Sequence, residues 1–215
     1  MDTSAPTTAQ LSRRDIRQPK PSGLSFGAWA KGQSLKMIEV HSGDLLSADV
    51  EALVNTVNTV GVMGKGLALQ FKQRFPVNFG VYAAACKRGE VEIGRMLVVE
   101  TRCAHAGSLS LFANLLDKPT TEPRYIINFP TKKHWREPSQ ISYVQTGLTA
   151  LVEEVRMRNI RSIAVPPLGC GNGGLAWSDV EPVIKSVLSV LVSVRILLFT
   201  PNLLKSNHYK GLDPR

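Results

Sequence analysis

Apolar runs of a few residues alternate along this chain with longer stretches whose apolar residues recur every three or four positions. The short runs predict buried strands and the periodic stretches predict amphipathic helices. Met37 to Val40 is the first expected strand, closed by Ser42-Gly43-Asp44. Ala52-Leu53-Val54 is the second, running into Asn55-Thr56-Val57-Asn58. Leu67, Ala68, Leu69 and Phe71 predict a helix that Pro76 interrupts. Phe79, Tyr82, Ala83 and Cys86 predict another, closed by Gly89. Met96 to Val99 and Tyr125 to Phe129 read as strands on either side of Cys103 to Pro123, a segment of mixed composition expected to be a long hairpin loop or insertion. From about Ser139 to Arg158, Val144, Leu148, Leu151, Val152 and Val155 share one helical face. Ile163-Ala164-Val165 is a further buried strand, stopped by Pro166 and Pro167 because neither has an N–H to give a ladder. A helix through Val183, Ile184 and Val187, with Ser178 or Asp179 expected as its cap, leads to a last strand at Val194 to Phe199. Strands alternating with helices predict an α/β fold with a mostly parallel sheet.

Two glycine clusters interrupt that pattern. Gly61-Val62-Met63-Gly64-Lys65-Gly66 follows the second strand, and Gly169, Gly171, Gly173 and Gly174 fall within six positions after Val165. Backbone so poor in side chains can offer several N–H groups to an anion, and strand, glycine loop, helix is the arrangement that holds a phosphate at a helix N-terminus. Two such loops facing each other suit a diphosphate. Neither matches GxGxxG or GxxxxGK[ST], since Gly64-Lys65-Gly66 lacks the Ser/Thr, and this argues against a conventional dehydrogenase or P-loop NTPase.

In such sheets ligands collect beyond the C-terminal ends of the strands. Asp44, Asn55, Asn58, the Gly61–Gly66 loop, Thr131-Lys132 and the Gly169–Gly174 loop each follow an expected strand, so all can line one rim. Asp44 can accept from an exocyclic amine or hydroxyl, and the amides of Asn55 and Asn58 offer both donor and acceptor to a sugar. Lys132 is the candidate for chemistry. Its amine is a nucleophile only when neutral, and burial or the neighbouring cations Lys133 and Arg136 would lower its pKa. It could then attack an electrophilic carbon of a bound ligand; alternatively, the charged amine would stabilise a leaving group or a bound water. The plainer reading is a solvated Lys-Lys pair. Lys65 reads as a phosphate or DNA contact, and His134 and Trp135 can stack on a nucleobase, although Trp135 reads equally as core. Phe71, Phe75, Phe79 and Tyr82 stand at helical spacing and read as core. Cys170 reads as a small turn residue rather than a nucleophile, and the four histidines have no metal-ligand spacing, so no metal is expected.

With 215 residues, 43% of them hydrophobic, the chain reads as one domain at 37–201, preceded by a disordered leader or tag at 1–36 and followed by a tail at 202–215. No apolar run is long enough to cross a bilayer, no apolar h-region opens the chain, and three cysteines fit a reducing cytosol, so a cytoplasmic protein is expected. The net charge of +9, from 26 Lys+Arg against 17 Asp+Glu, points to a polyanionic partner, nucleic acid first. Part of that charge lies in the leader, but Lys65, Lys72, Arg74, Lys87, Arg88, Lys132, Lys133 and Arg136 stand in the body.

Gly43-Asp44-Leu45, Asn55-Thr56-Val57-Asn58, Met63-Gly64-Lys65-Gly66-Leu67-Ala68 and the stretch Pro167 to Trp177 together resemble the macrodomain family, in the expected order over roughly Met37 to Pro201. The resemblance implies a three-layer α/β/α sandwich with a mixed, mostly parallel sheet that binds ADP-ribose, which would be ligand and product, with no cofactor. Asn128 to Ser139, NFPTKKHWREPS, together with GVMGKGLALQFK, most resembles the DarG group: antitoxins that remove ADP-ribose from thymidine in single-stranded DNA and counter a DarT-type toxin. By this resemblance Asp44, with Leu45, would hold the adenine and Asn58 the distal ribose, with Asn55 beside it. Pro167, Leu168, Gly169, Cys170, Gly171, Asn172, Gly173, Gly174 and Leu175 would cradle the diphosphate, and Met63, Gly64, Lys65 and Gly66 would close over the other side. Thr131-Lys132 would match the position of the catalytic lysine, and Lys133, His134, Trp135 and Arg136 would face DNA. One departure is visible: the related terminal ADP-ribose protein glycohydrolase has an aspartate where this chain has Gly173. The other functions open at this point are an ADP-ribose-binding module without turnover and a hydrolase of ADP-ribosylated protein carboxylates.

Overall fold

The computed structural model describes residues 38–101 and 122–201. The leader, the tail and all but Glu122 and Pro123 at the end of the expected insertion lie outside the described residues. Six strands form one sheet: β1 (Ile38–His41), β2 (Ala52–Asn58), β3 (Leu97–Glu100), β4 (Tyr125–Lys132), β5 (Ser162–Val165) and β6 (Arg195–Phe199). Their order is β1-β6-β5-β2-β4-β3, and every neighbouring pair is parallel except β3 with β4. Helices α1 (Gly66–Arg74) and α2 (Pro76–Lys87) cover one face, and α3 (Ile141–Met157) and α4 (Trp177–Leu188) cover the other. The result is the expected three-layer α/β/α sandwich with a mixed, mostly parallel sheet.

The alternation of side chains along a strand divides the core between the two faces. Ala52 and Val54 of β2, Ile127 and Phe129 of β4, Ile163 and Val165 of β5, and Ile196 and Leu198 of β6 meet Val144, Leu148, Leu151, Ile184 and Leu188 of α3 and α4. Leu53, Ile126, Ala164 and Leu197 point the other way, against Phe71 and Phe75 around α1. Gly147 lets α3 approach the sheet, because any Cβ there would run into the Phe129 ring. Such double-sided burial explains why the central strands read as continuous apolar runs.

Two elements differ from expectation. Strand β4 continues past Phe129 to Lys132, because β2 offers a parallel partner that far, with a register shift between Val57 and Asn58. Pro130 is tolerated there since β3 pairs only as far as Asn128, leaving the outer edge of β4 without a partner that needs an N–H. Helix α4 begins two residues earlier than a Ser178 cap requires and three earlier than an Asp179 cap. Its N-cap is Ala176, with no side-chain capping bond, and Ser178 instead donates to Asp179 at 3.1 Å.

Candidate active site

The C-terminal ends of β1, β6, β5, β2 and β4 share one edge of the sheet, and the strand order places the candidate residues along it. Asp44 follows β1, the Gly169–Gly174 loop follows β5, Asn58 ends β2 and Lys132 ends β4. With strands about 4.8 Å apart, β1 and β4 are separated by about 19 Å. At the first end Asp44 is exposed and caps a 3-10 turn at Leu45–Ser47, accepting from the Leu46 N–H at 3.0 Å, with Leu45 buried beneath.

At the other end three features converge. Asn58 and Lys132 are register partners across β2 and β4. Lys132 is only 8% exposed, and its Nζ donates to the Asn172 carbonyl of the glycine loop at 2.7 Å. The Asn172 side-chain amide in turn stands against Gly66, where a Cβ would come within 3.0 Å of it. The two glycine loops and the amine therefore meet at one place. Burial pushes the Lys132 amine below the ordinary lysine range. The expectation that Lys133 and Arg136 would do so is corrected: both side chains are exposed, and desolvation alone accounts for the shift.

The Gly169–Gly174 loop is closely packed at Gly169 and Gly173. Gly169 has φ +73°, and a Cβ at Gly173 would strike the Gly169 carbonyl oxygen and Ser139 Oγ. An aspartate at that position would not fit this loop. Ser139 N–H donates to the Gly173 carbonyl at 2.9 Å, tying the glycine loop to the chain that leaves β4. Gly171, Asn172 and Gly174 are exposed on the rim, whereas Leu168 and Met63 turn their side chains into the core. Gly64, Lys65 and Gly66 are exposed at the head of α1. Cys170 is half-buried and its thiol is pushed up to about 11, first by burial and then by Asp179, which leaves no thiolate near neutral pH.

The two asparagines of β2 occupy different settings. Asn55 is fully buried, its Nδ2 donating to Asn128 Oδ1 at 3.0 Å, so its amide lies inside the sheet layer rather than on the rim where the sequence had placed it. The β-pleat accounts for this, because Asn55 shares the inward face with Leu53. Asn58 organises the turn after β2: Oδ1 accepts from the N–H groups of Val60 and Val62, and Nδ2 donates to the Val62 carbonyl at 2.6 Å.

Sequence reasoning missed the residues that hold this arrangement. Tyr82 is fully buried, and its hydroxyl donates to the Asn58 carbonyl at 2.8 Å. One helical turn earlier Asn78 exchanges amide bonds with Asn128 at 2.8 and 3.3 Å. Helix α2 thus grips both β2 and β4 through polar side chains. The available signal was Asn128 itself, one polar residue in the otherwise apolar run YIINF. Among the described residues, no group of three or more His, Cys, Asp or Glu is close enough together to hold a metal, and no helix is long and apolar enough to cross a membrane.

The profile of the Macro domain family matches residues 54–184. The chain belongs to the macro domain family. This macrodomain is 54% identical over 166 residues to a protein of Mycobacterium tuberculosis named DNA ADP-ribosyl glycohydrolase, an alignment covering 77% of this chain and 43% of that protein. It therefore spans less than half the length of that curated relative. A solved structure of the macrodomain of M. tuberculosis DarG superposes with a TM-score of 0.67 at 54% identity, covering 77% of this chain and 98% of that one. A structure of Thermosipho africanus DarTG in complex with ADP-ribose matches with a TM-score of 0.64 at 35% identity, covering 76% of this chain and 42% of that one.

Proposed function

We propose that this macrodomain binds ADP-ribose and hydrolyses the glycosidic bond joining it to thymidine in DNA, as a DarG-like antitoxin acting in the cytoplasm. The observation that carries this reading is the buried amine of Lys132, held against the glycine loop beside the end of β2. The rim then accounts for each part of the ligand in turn. Asp44 and Leu45 take the adenine, the Gly169–Gly174 loop the diphosphate under Gly64–Gly66, and Lys132 the distal ribose, beside the turn that Asn58 holds with its own amide. Lys65, exposed at the head of α1, adds positive charge over the phosphates.

In the proposed chemistry neutral Lys132 adds to the anomeric carbon of that ribose while the bond to the thymine nitrogen breaks, and the amine proton passes to the departing base. Ring opening leaves an imine, and water hydrolyses it to free ADP-ribose and Lys132. No cofactor enters. Burial serves this step by raising the neutral fraction of the amine. A hydrolase of protein carboxylates that depends on a loop aspartate is disfavoured, since Gly173 has no room for one. A DarT-type partner is proposed with the activity, in keeping with the T. africanus relative, 38% identical, named as a DNA ADP-ribosyl transferase–DNA ADP-ribosyl glycohydrolase fusion protein.

The test compares ADP-ribosylated single-stranded DNA with ADP-ribosylated protein as substrates, beside a calorimetric ADP-ribose titration. Release from the DNA, lost roughly 10²–10⁴-fold in Lys132→Ala with ADP-ribose affinity retained, is the expected result. Binding without release from either substrate would leave a recognition module, and full turnover by Lys132→Ala would remove the lysine from the chemistry.

A further inference from the structure

Immediately beyond Lys132 the chain forms an arch that is pinned at both ends to the site. At its start the backbone N–H and hydroxyl of Thr59 both donate to the Lys133 carbonyl, at 3.1 and 2.8 Å. At its end the Ser139 N–H donates to Gly173 of the glycine loop. Within the arch the Glu137 N–H donates to the His134 carbonyl at 3.1 Å, and the Arg136 N–H to His134 Nδ1 at 3.3 Å. The crown of this fixed bend is Trp135, which is 46% exposed and belongs to none of the core clusters. The Arg136 guanidinium lies 4.5 Å from its ring centroid, and the His134 ring 5.3 Å away with a 32° tilt. Three planar groups therefore make one cluster at the surface, with Lys133 exposed beside it.

Other apolar side chains are as exposed, but Trp135 alone among them is held on a tied turn with a guanidinium and an imidazole against its ring, a set suited to a planar, anionic partner. Its position says which. Trp135 is three residues from Lys132, at most about 11 Å along the chain, and β4 is the last parallel strand of the rim. In the proposed binding mode, anything attached to the anomeric carbon of the distal ribose leaves at this end of the rim. An arginine-rich depression at the opposite edge of the sheet is charge-balanced: Arg124, Arg161 and Arg195 stand among Asp49, Glu51 and Glu122. Of these, Arg124 is bound to Glu100 and Arg195 to Glu39.

We propose that the Lys133–Arg136 arch is the landing for the single strand that flanks the modified nucleotide, with a neighbouring base stacked on Trp135 and its phosphates met by Lys133 and Arg136. This deepens the glycohydrolase reading and rests on it for the direction of the strand. Stacking on an aromatic ring is indifferent to base identity, and the planar cationic neighbours add to it. The platform selects unpaired strands, because a base must leave its duplex stack to reach the ring.

Two measurements test it, one of them independent of turnover. In fluorescence anisotropy at low salt, unmodified single-stranded oligothymidine binds the protein, Trp135→Ala weakens it about tenfold, and Trp135→Phe keeps most of the affinity. Replacing Lys133 and Arg136 with alanine flattens the dependence of log K on log salt by about 1.4. In kinetics, the ratio of kcat/KM for an ADP-ribosylated oligonucleotide to that for ADP-ribosylated thymidine monophosphate falls about tenfold in Trp135→Ala, through KM. Unchanged oligothymidine binding in Trp135→Ala, an unchanged ratio, or equal binding of duplex and single strand overturns the platform. Absence of turnover on both substrates with oligothymidine binding still dependent on Trp135 overturns the glycohydrolase reading and keeps the platform.

Discussion

Lys132 carries two demands that oppose each other. A buried ammonium is penalised by desolvation, and the Asn172 carbonyl is the polar partner that offsets part of this. Because the folded-state pKa is depressed, the folded protein binds fewer protons than the unfolded chain between that lowered value and the ordinary lysine value of about 10.4. Stability contributed by this group is therefore present above the unfolded value and lost as pH falls through the folded one. Relative to Lys132→Met, wild-type stability should rise through that alkaline window by about 1.4 kcal/mol for each tenfold depression of proton affinity. Urea titrations of both proteins from pH 7 to 11 measure it, and parallel curves would mean that the amine titrates as it does in water. Activity should follow the same direction, rising with pH until Lys132 is neutral.

At the scale of elements, the glycine loop and the arch after β4 are one construction. Ser139 reaches into the loop with its N–H on the Gly173 carbonyl and its side chain against the spot where a Gly173 Cβ would stand. Gly173→Ala should therefore overpack the loop, costing about 2–3 kcal/mol and roughly 5–10 °C in Tm, and weaken ADP-ribose binding. Calorimetric melting and ligand titration check both parts. A variant as stable as wild type would mean that the loop relaxes freely. Helix α2 adds the second brace, since Tyr82 and Asn78 hold β2 and β4 from the same helix face.

Over the whole molecule, the order β1-β6-β5-β2-β4 arranges chemistry along a line. Asp44 and Lys132 are distant in sequence and stand at opposite ends of the same rim. Asp44→Ala should weaken AMP and ADP-ribose about equally, by about tenfold, and leave ribose 5-phosphate binding little changed. Competition calorimetry with the three ligands reads this directly. Equal loss for the ribose phosphate would place Asp44 elsewhere on the nucleotide.

The strands, the helices and the two glycine clusters follow from local physics: apolar period, proline stops and runs without side chains. Those are properties of neighbouring residues, so the chain alone determined them, and the macrodomain resemblance rested on the same segments. Where β4 ends depended on β2 lying beside it, and whether Lys132 is solvated depended on Asn172, forty residues away. Trp135, which local pattern left between core and surface, is outside because the arch is tied to Thr59 and Gly173. Asn55 and Asn58 belong to one short motif yet face different environments, a division made by the pleat and by Asn128 and Tyr82. Burial and hydrogen-bond partners are relations between distant residues, and only the tertiary structure could decide them.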